Sequence, residues 1–388
     1  MMYWPLQENV VTEEDLDRLV FFIQNTKRFT QYEQVAAFEA AFSKWQGCEH
    51  SVFVNSGSSA NLVLVDAVRE TMGWRPGDEV IVPAVTWPTT VTPIIQLGLT
   101  PVFVDVGLRD LSYDQEKLRE AVTDRTRAVF VVHLLGFPAD VAGIQQAVAG
   151  SKIPVLIMED CCEAQGATFG DRNVGNWGIG GTFSFYWGHH MTTVEGGMVC
   201  TGHEGIYRLL RMKRSHGLAR ELPTRDHASA RKTAPDIDFK FLFLTGGYNV
   251  RNTEFAAILG MVQLERMDEF VRIRNANYVR FVEMCGFHSE HLIPVRADGV
   301  SSFALPFIFR DRKKRSGFEE RLAAAGIETR PLISGNLLRQ PFLTEYGRPE
   351  DFPNADFLHH NAFYIGNNQF VDAEKLDTLE GLMVQYLR

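Results

Sequence analysis

The sequence predicts an α/β protein whose larger part is a seven-stranded, mostly parallel sheet with helices on both faces. Seven short runs between residues 51 and 200 are nearly continuous in Val, Ile and Phe, which is typical of strands buried on both faces. Helical segments separate several of these runs, and strand–helix alternation at this spacing favours a parallel sheet. Beyond residue 252 the pattern changes to long helix, which predicts a smaller C-terminal α/β domain.

In chain order, two helices come first, at about 13–24 and 34–45. The runs predicted as strands are 51–55, 79–83, 101–106, 127–132, 155–160, 182–186 and 197–200, with helices at about 59–71, 114–122 and 139–148. Residues 221–238 are polar and charged and predict an exposed loop.

The C-terminal part predicts one long helix over 253–285, a strand within 301–309, a helix at 314–325 and a terminal helix at 373–387. We therefore expect a large domain of residues 1–252 and a small domain of residues 253–388.

Composition excludes several classes of function. The chain has 388 residues and a net charge of −9; nucleic-acid binders usually carry a basic face, so we expect no nucleic-acid partner. No apolar run reaches the ~18 residues of a membrane span, and the first residues, MMYWPLQENV, resemble neither a signal nor a transit peptide. The chain has five cysteines, of which Cys161 and Cys162 are adjacent and the others scattered. The absence of a CxxC spacing disfavours a metal site and predicts a reduced, cytoplasmic compartment.

NSGSSAN, at 55–61, joins a predicted strand to a predicted helix. Gly57 permits a tight turn, and Ser58 falls near the helix N-terminus, where backbone N–H groups bind anions. The motif is neither GxGxxG nor a Walker loop. Small polar residues also simply cap helices, so this motif alone leaves both readings open.

Asp160 and Glu163 follow an apolar strand within MEDCCEAQGATFG, at 158–170. Open α/β sheets build their sites at the C-terminal ends of strands. A buried aspartate there needs a cationic partner, and a protonated pyridine nitrogen would serve. The alternative is an aspartate that only caps the following turn.

SFYWGHHMTTVEGG, at 184–197, carries two adjacent histidines, His189 and His190. Neighbouring side chains of an extended segment point in opposite directions, so we expect only one of them to act. A purely structural role for the pair is the alternative.

The order and spacing of these motifs resemble the DegT/DnrJ/EryC1/StrS family of sugar aminotransferases, which are fold-type I pyridoxal-phosphate enzymes. PGDEVIVPAVTWPTT at 76–90, RSHG at 214–217 and GYNVR at 247–251 fit the same family, so the resemblance covers nearly the whole chain. It implies the fold-type I aminotransferase architecture and a homodimer whose active sites are shared between subunits.

One departure from the family pattern decides the expected activity. The aminotransferases carry a cofactor-binding lysine five residues after the serine of this motif, whereas here that position is His189, and no lysine lies between Lys152 and Lys213. Histidine cannot bond covalently to an aldehyde cofactor, but it moves protons. The pattern resembles the family's 3-dehydratases. Because the chain lacks the cysteine group of the iron–sulfur branch, the resemblance is to the cluster-free branch, which acts in the biosynthesis of the lipopolysaccharide sugar colitose.

The resemblance also implies roles for single residues. Gly57, Ser58 and Ser184 match contacts to the cofactor phosphate, and Asn249 matches a phosphate contact from the neighbouring subunit. Trp87 matches the ring that stacks on the pyridine, Asp160 the partner of the pyridine nitrogen, and His189 the catalytic acid and base. Glu163 would either hydrogen-bond the cofactor oxygen or tune a nearby proton. His216, Arg220 and Arg330 are candidates near the substrate, although His216 would equally suit a packing role.

The implied cofactor is pyridoxal or pyridoxamine phosphate, bound non-covalently, with L-glutamate as the amine donor. The implied substrate is a nucleotide-linked 4-keto-6-deoxyhexose, best matched by GDP-4-keto-6-deoxy-D-mannose, which would lose its C3 hydroxyl. Two alternatives remain open: a sugar aminotransferase with another base, and a non-catalytic relative that only binds the cofactor.

Overall fold

A computed structural model describes residues 3–295 and 298–387. The strands are β1 (His50–Val54), β2 (Glu79–Pro83), β3 (Thr100–Val104), β4 (Thr126–Val132), β5 (Leu156–Asp160), β6 (Thr168–Phe169), β7 (Arg172–Asn173), β8 (Gly180–Ser184), β9 (Gly197–Thr201), β10 (Ala304–Ile308), β11 (Thr329–Pro331) and β12 (Ala362–Gly366). The helices are α1 (Glu13–Asn25), α2 (Glu33–Gln46), α3 (Gly57–Met72), α4 (Pro88–Gln96), α5 (Gln115–Ala121), α6 (Val141–Val148), α7 (Glu204–Arg214), α8 (His227–Thr233), α9 (Glu254–Glu265), α10 (Met267–Phe287), α11 (Arg312–Ala324), α12 (Pro353–Asn361) and α13 (Ala373–Tyr386).

The large sheet contains the seven predicted strands, in the order β1-β9-β8-β5-β4-β2-β3. β9 is antiparallel to both of its neighbours, and the other pairs are parallel. β2, β8 and β9 are buried at every residue. For β2 this agrees with its apolar run, which is typical of a strand buried on both faces. The prediction of a mostly parallel seven-stranded sheet is therefore confirmed. Its parallel strands β4, β5 and β8 all end at the same edge.

The C-terminal part forms a three-stranded antiparallel sheet, in the order β10-β12-β11. The N-terminal segment is tied to this sheet, because the indole Nε1 of Trp4 donates to the Gly366 carbonyl at 3.0 Å and Trp4 bridges Ile327. Helix α9, in turn, packs against α2. Contacts therefore cross the predicted boundary at residue 252 in both directions, and the division into two domains stays a prediction.

Two local predictions were wrong, and one helix was not predicted. The predicted helix over 253–285 is two helices, α9 and α10, which meet at Arg266. The guanidinium of Arg266 donates a hydrogen bond to the Asp15 carboxylate at 2.7 Å. The predicted loop over 221–238 contains α8, whose Ala230 is buried beside Phe239. Helix α4 was missed because Pro93 lies inside it, and proline in a sequence predicts a break.

Among the described residues, no helix combines the length and apolar character needed to cross a membrane.

Candidate active site

A cavity of about 690 Å³ opens at the C-terminal edge of the large sheet, where the small sheet faces it. Parallel sheets place their sites at this edge because the strand ends and the following helix N-termini converge there. The cavity is lined by eight of the predicted site residues: Gly57, Ser58, Trp87, Asp160, Glu163, Ser184, His189 and Arg330. The N-terminal segment also contributes to its wall, through Leu6 and Gln7.

One side of the cavity is the N-terminus of α3. Ser56 caps this helix by accepting from the Ser59 N–H at 3.1 Å, and the Ser58 hydroxyl donates to Thr89 at 3.0 Å. A Cβ atom on Gly57 would lie only 2.6 Å from the Cβ of Ser184, so a larger residue would push β8 away from the helix. Glycine therefore keeps the helix N-terminus and Ser184 side by side, and the N–H groups at a helix N-terminus favour an anion.

Asp160 lies at the end of β5 and is 6% exposed. Its Oδ2 atom accepts from the Asn61 amide and from the Thr90 hydroxyl, both at 2.9 Å, and its Oδ1 atom accepts from the Cys162 N–H at 3.1 Å. Thr182 holds Asn61 in turn, by donating to its Oδ1 atom at 2.6 Å. These hydrogen-bond donors are all neutral, so the carboxylate is oriented without a cation from the described part of the chain paired to it.

Glu163 lines the cavity, and its Oε2 atom accepts a hydrogen bond from the backbone N–H of Leu135 at 2.8 Å. Burial raises the pKa of Glu163 to about 7, and the charge of Asp160 acts in the same direction, while the Leu135 bond opposes them. Tyr364, on β12, also faces the cavity, and burial together with Glu163 raises the pKa of its phenol to about 12. The Glu163 carboxyl thus keeps its proton to a higher pH than an exposed carboxyl does.

The raised pKa of Glu163 predicts a pH-dependent effect on stability. The folded state holds this proton more tightly than the unfolded chain, so the contribution is complete below about pH 4.5 and is lost as the pH rises to about 7. Glu163→Gln, which keeps an acceptor for Leu135 but cannot ionise, should unfold in urea like the wild type at pH 4.5. At pH 8 it should be more stable, on the order of 2 kcal/mol. If the cofactor-free wild type and Glu163→Gln gave equal urea unfolding curves at both pH values, the burial of Glu163 would have no effect on stability.

His189 follows β8 in a turn that brings its ring to the cavity. Its Nδ1 atom lies 2.6 Å from the Cys162 carbonyl, and because a carbonyl only accepts, Nδ1 must carry the hydrogen and Nε2 the free lone pair. Burial lowers the pKa of His189 to about 4, with Arg274 adding to the decrease and the Cys162 bond and Asp160 opposing it. The imidazole is therefore a neutral base with a fixed tautomer.

His190 points into the protein interior. It is fully buried, and its Nε2 atom lies 3.1 Å from both the carbonyl and the hydroxyl of Ser301. The structure thus separates the two histidines, with His189 at the cavity and His190 packed behind it.

Three predicted site residues lie outside this cavity. Asn249 and His216 are exposed on a ribbon in which Ser215 bridges Asn249 and Leu218 bridges Phe243, and we call residues 215–220 and 241–249 the outer ribbon. Arg220, on the same ribbon, borders a separate open cavity of about 520 Å³ with Arg28 and Arg251. The resemblance assigned Asn249 to a neighbouring subunit's site, and the roles of these three residues stay predictions.

The sequence analysis missed two residues that hold Asp160, namely Asn61 and Thr90. Both lie within quoted motifs, NSGSSAN and PGDEVIVPAVTWPTT, but nothing in the sequence says that these motifs meet at β5. The feature that could have identified them is a polar side chain near the start of a helix, α3 for Asn61 and α4 for Thr90.

The family model for the DegT/DnrJ/EryC1/StrS aminotransferase family matches residues 11–380. The chain belongs to this family. Among its members, GDP-4-keto-6-deoxy-D-mannose 3-dehydratase of Escherichia coli O55:H7 is 36% identical, over 99% of this chain and all of that protein.

Two solved structures show how closely this family member follows known folds. One is GDP-4-keto-6-deoxymannose-3-dehydratase in a histidine-to-asparagine variant with bound GDP-perosamine; it is 34% identical, with a TM-score of 0.90 over 98% of this chain and 100% of that one. The other is the same dehydratase with a trapped PLP–glutamate geminal diamine, 34% identical, with a TM-score of 0.91 over 98% and 99%. The predicted fold-type I architecture is confirmed.

Proposed function

We propose that this family member is a pyridoxal- or pyridoxamine-phosphate-dependent 3-dehydratase that removes the C3 hydroxyl of a nucleotide-linked 4-keto-6-deoxy sugar. One observation carries the proposal. The side chain that reaches the cavity after β8 is a neutral imidazole, and among the described residues lining the cavity there is no lysine. The site thus offers a base in place of an amine.

The residues present fit the cofactor. The buried carboxylate of Asp160 is held by neutral donors, which leaves its charge free to pair with a protonated pyridine nitrogen. The N-terminus of α3, with Ser58 and Ser184 beside Gly57, suits the phosphate. Trp87, 58% exposed at the cavity, offers an aromatic face.

When bound, the cofactor supplies an electron sink that lets a C–O bond next to a ketone break. The chain's own part is proton handling and orientation. The Nε2 atom of His189 takes up a proton, because Nδ1 is occupied by the Cys162 carbonyl. The resulting imidazolium then donates that proton to the departing C3 hydroxyl, so one residue serves both steps. Asp160 would hold the pyridine nitrogen in its protonated form.

The substrate proposal follows the relatives. The similar E. coli protein is named for GDP-4-keto-6-deoxy-D-mannose, and a similar structure holds GDP-perosamine. Another holds an adduct of PLP and glutamate. We therefore assign GDP-4-keto-6-deoxy-D-mannose as the substrate and L-glutamate as the amine donor, with the product serving colitose biosynthesis.

A homodimer is part of the proposal. Large apolar side chains are exposed on α1, including Phe21 at 68%, and on the outer ribbon, where Phe241 is 66% exposed. Exposed apolar surface of this kind marks interaction sites, and Asn249 and Arg220 lie on the same ribbon.

All five cysteines are free thiols, which suits a reducing compartment, and we place the enzyme in the cytoplasm.

The deciding experiment incubates the protein with GDP-4-keto-6-deoxy-D-mannose, pyridoxal phosphate and L-glutamate and follows the sugar by mass spectrometry. Loss of oxygen at C3 is the expected result. Nitrogen retained at C4 would identify an aminotransferase instead, and an unchanged sugar would favour a protein that only binds the cofactor.

The cofactor should remain removable from the protein. Because no lysine lines the described cavity, borohydride treatment of the loaded enzyme should leave the protein mass unchanged. His189→Lys is the matched positive control, since a lysine at this position should acquire the mass of the reduced cofactor. A mass increase in the wild-type protein would contradict non-covalent binding.

A further inference from the structure

Arg274, on α10, is a buried cation to which the sequence analysis assigned no role. Its side chain has no exposed surface. Among the described residues, the hydrogen bonds of its guanidinium all go to backbone carbonyl oxygens: those of Phe303 at 3.2 Å, Asn367, and His189 at 3.4 Å. Burial lowers the pKa of Arg274 to about 9, so it is still charged at neutral pH. A buried cation held by carbonyls alone costs free energy that an apolar side chain would not.

Two of the three carbonyls belong to His189 itself and to Phe303, its aromatic neighbour. The guanidinium holds the backbone of His189 itself, and it also holds Phe303, whose ring lies 5.4 Å from the imidazole. From the other side, the His189 N–H donates to the Tyr186 carbonyl at 3.0 Å. The position of the ring therefore depends on Arg274 twice, once through its own backbone and once through its aromatic neighbour.

We propose that Arg274 is a positioning residue for proton transfer, which fixes the backbone of His189 at the cavity and places a positive charge beneath its imidazole. The inference rests on the proposed function, since it takes His189 as the base. It explains why a costly buried charge stands where packing alone would favour an apolar residue.

Several groups act on His189 from the elements around it. Asp160, at the end of β5, raises the pKa of the imidazole, and Arg274 lowers it beyond the effect of burial. His190 is the adjacent ring, the phenol ring of Tyr186 lies 6.1 Å away, and Glu163 lines the same cavity. Removing the Arg274 charge raises the pKa of His189, so the base becomes protonated at higher pH. For two charges several ångströms apart in a partly buried site, the shift is about one pH unit.

The test measures kcat for deoxygenation against pH in three loaded variants. In Arg274→Met and Arg274→Gln, which remove the charge, the acidic limb of the profile should move up by about one pH unit. Arg274→Lys keeps the charge, so its limb should stay at the wild-type pH while kcat falls. The Gln variant retains a donor for the carbonyls and so provides a neutral protein if the Met variant does not fold. Cofactor absorbance confirms that each variant is loaded.

If the acidic limb of the kcat–pH profile stayed at the wild-type pH in Arg274→Met and Arg274→Gln, the inference would be overturned and Arg274 would be only a packing residue. His189→Asn separates the two proposals. If that variant is inactive and the limbs do not move, only the role of Arg274 fails. If it still removes the C3 hydroxyl, the assignment of the base fails with it.

Discussion

His189→Asn is expected to abolish removal of the C3 hydroxyl while leaving the protein folded and able to bind the cofactor. The variant removes the only atom that we assign to proton transfer, Nε2, while the amide can still donate to the Cys162 carbonyl. Loss of a positioned general base costs about 10² to 10⁴ in rate. The measurement is single-turnover deoxygenation of GDP-4-keto-6-deoxy-D-mannose, with cofactor binding followed by absorbance.

The adjacent histidine supplies the control. His190 is buried against Ser301 and does not line the cavity, so His190→Gln, which retains a donor near that carbonyl, should keep most of the activity. The opposite pattern, with the His190 variant inactive and the His189 variant active, would place the base one residue further along the chain.

Asp160→Asn should cripple both the deoxygenation and the reaction with glutamate. An amide carries no charge to keep the pyridine nitrogen protonated, so the electron sink weakens in both. The expected loss is about 10² to 10³ in rate, the scale of one preorganised electrostatic contact. Rates of the two half-reactions, measured separately with glutamate and with sugar, should fall together.

Thr90→Val is the matched control for Asp160. It removes one hydrogen bond to the carboxylate but leaves the charge in place, so its effect should be far smaller than that of Asp160→Asn. Near-normal turnover in Asp160→Asn would show that the aspartate only caps the turn through the Cys162 N–H.

The strands of the large sheet could be predicted from the sequence because most of them are nearly continuous runs of apolar residues, as is typical of strands buried on both faces. The positions of Asp160 and His189 at the site followed from motif order. Asn61 and Arg274 could not be assigned in this way, since each acts on a residue about 85 or more positions away in the chain and contacts it only in the folded protein. The break at Arg266 escaped prediction for the same reason: its partner Asp15 lies on another helix.

The anchoring of Trp4 to the small sheet has a consequence for the wall of the cavity. The first described residues run from that anchor on the small sheet to the cavity, where Leu6 and Gln7 form part of the wall. The carbonyls of Pro5 and Leu6 pass so close to Gly366 that a Cβ there would lie within 2.6 Å of both. A change at Trp4 is therefore also an alteration at the rim of the cavity, although Trp4 itself does not line it.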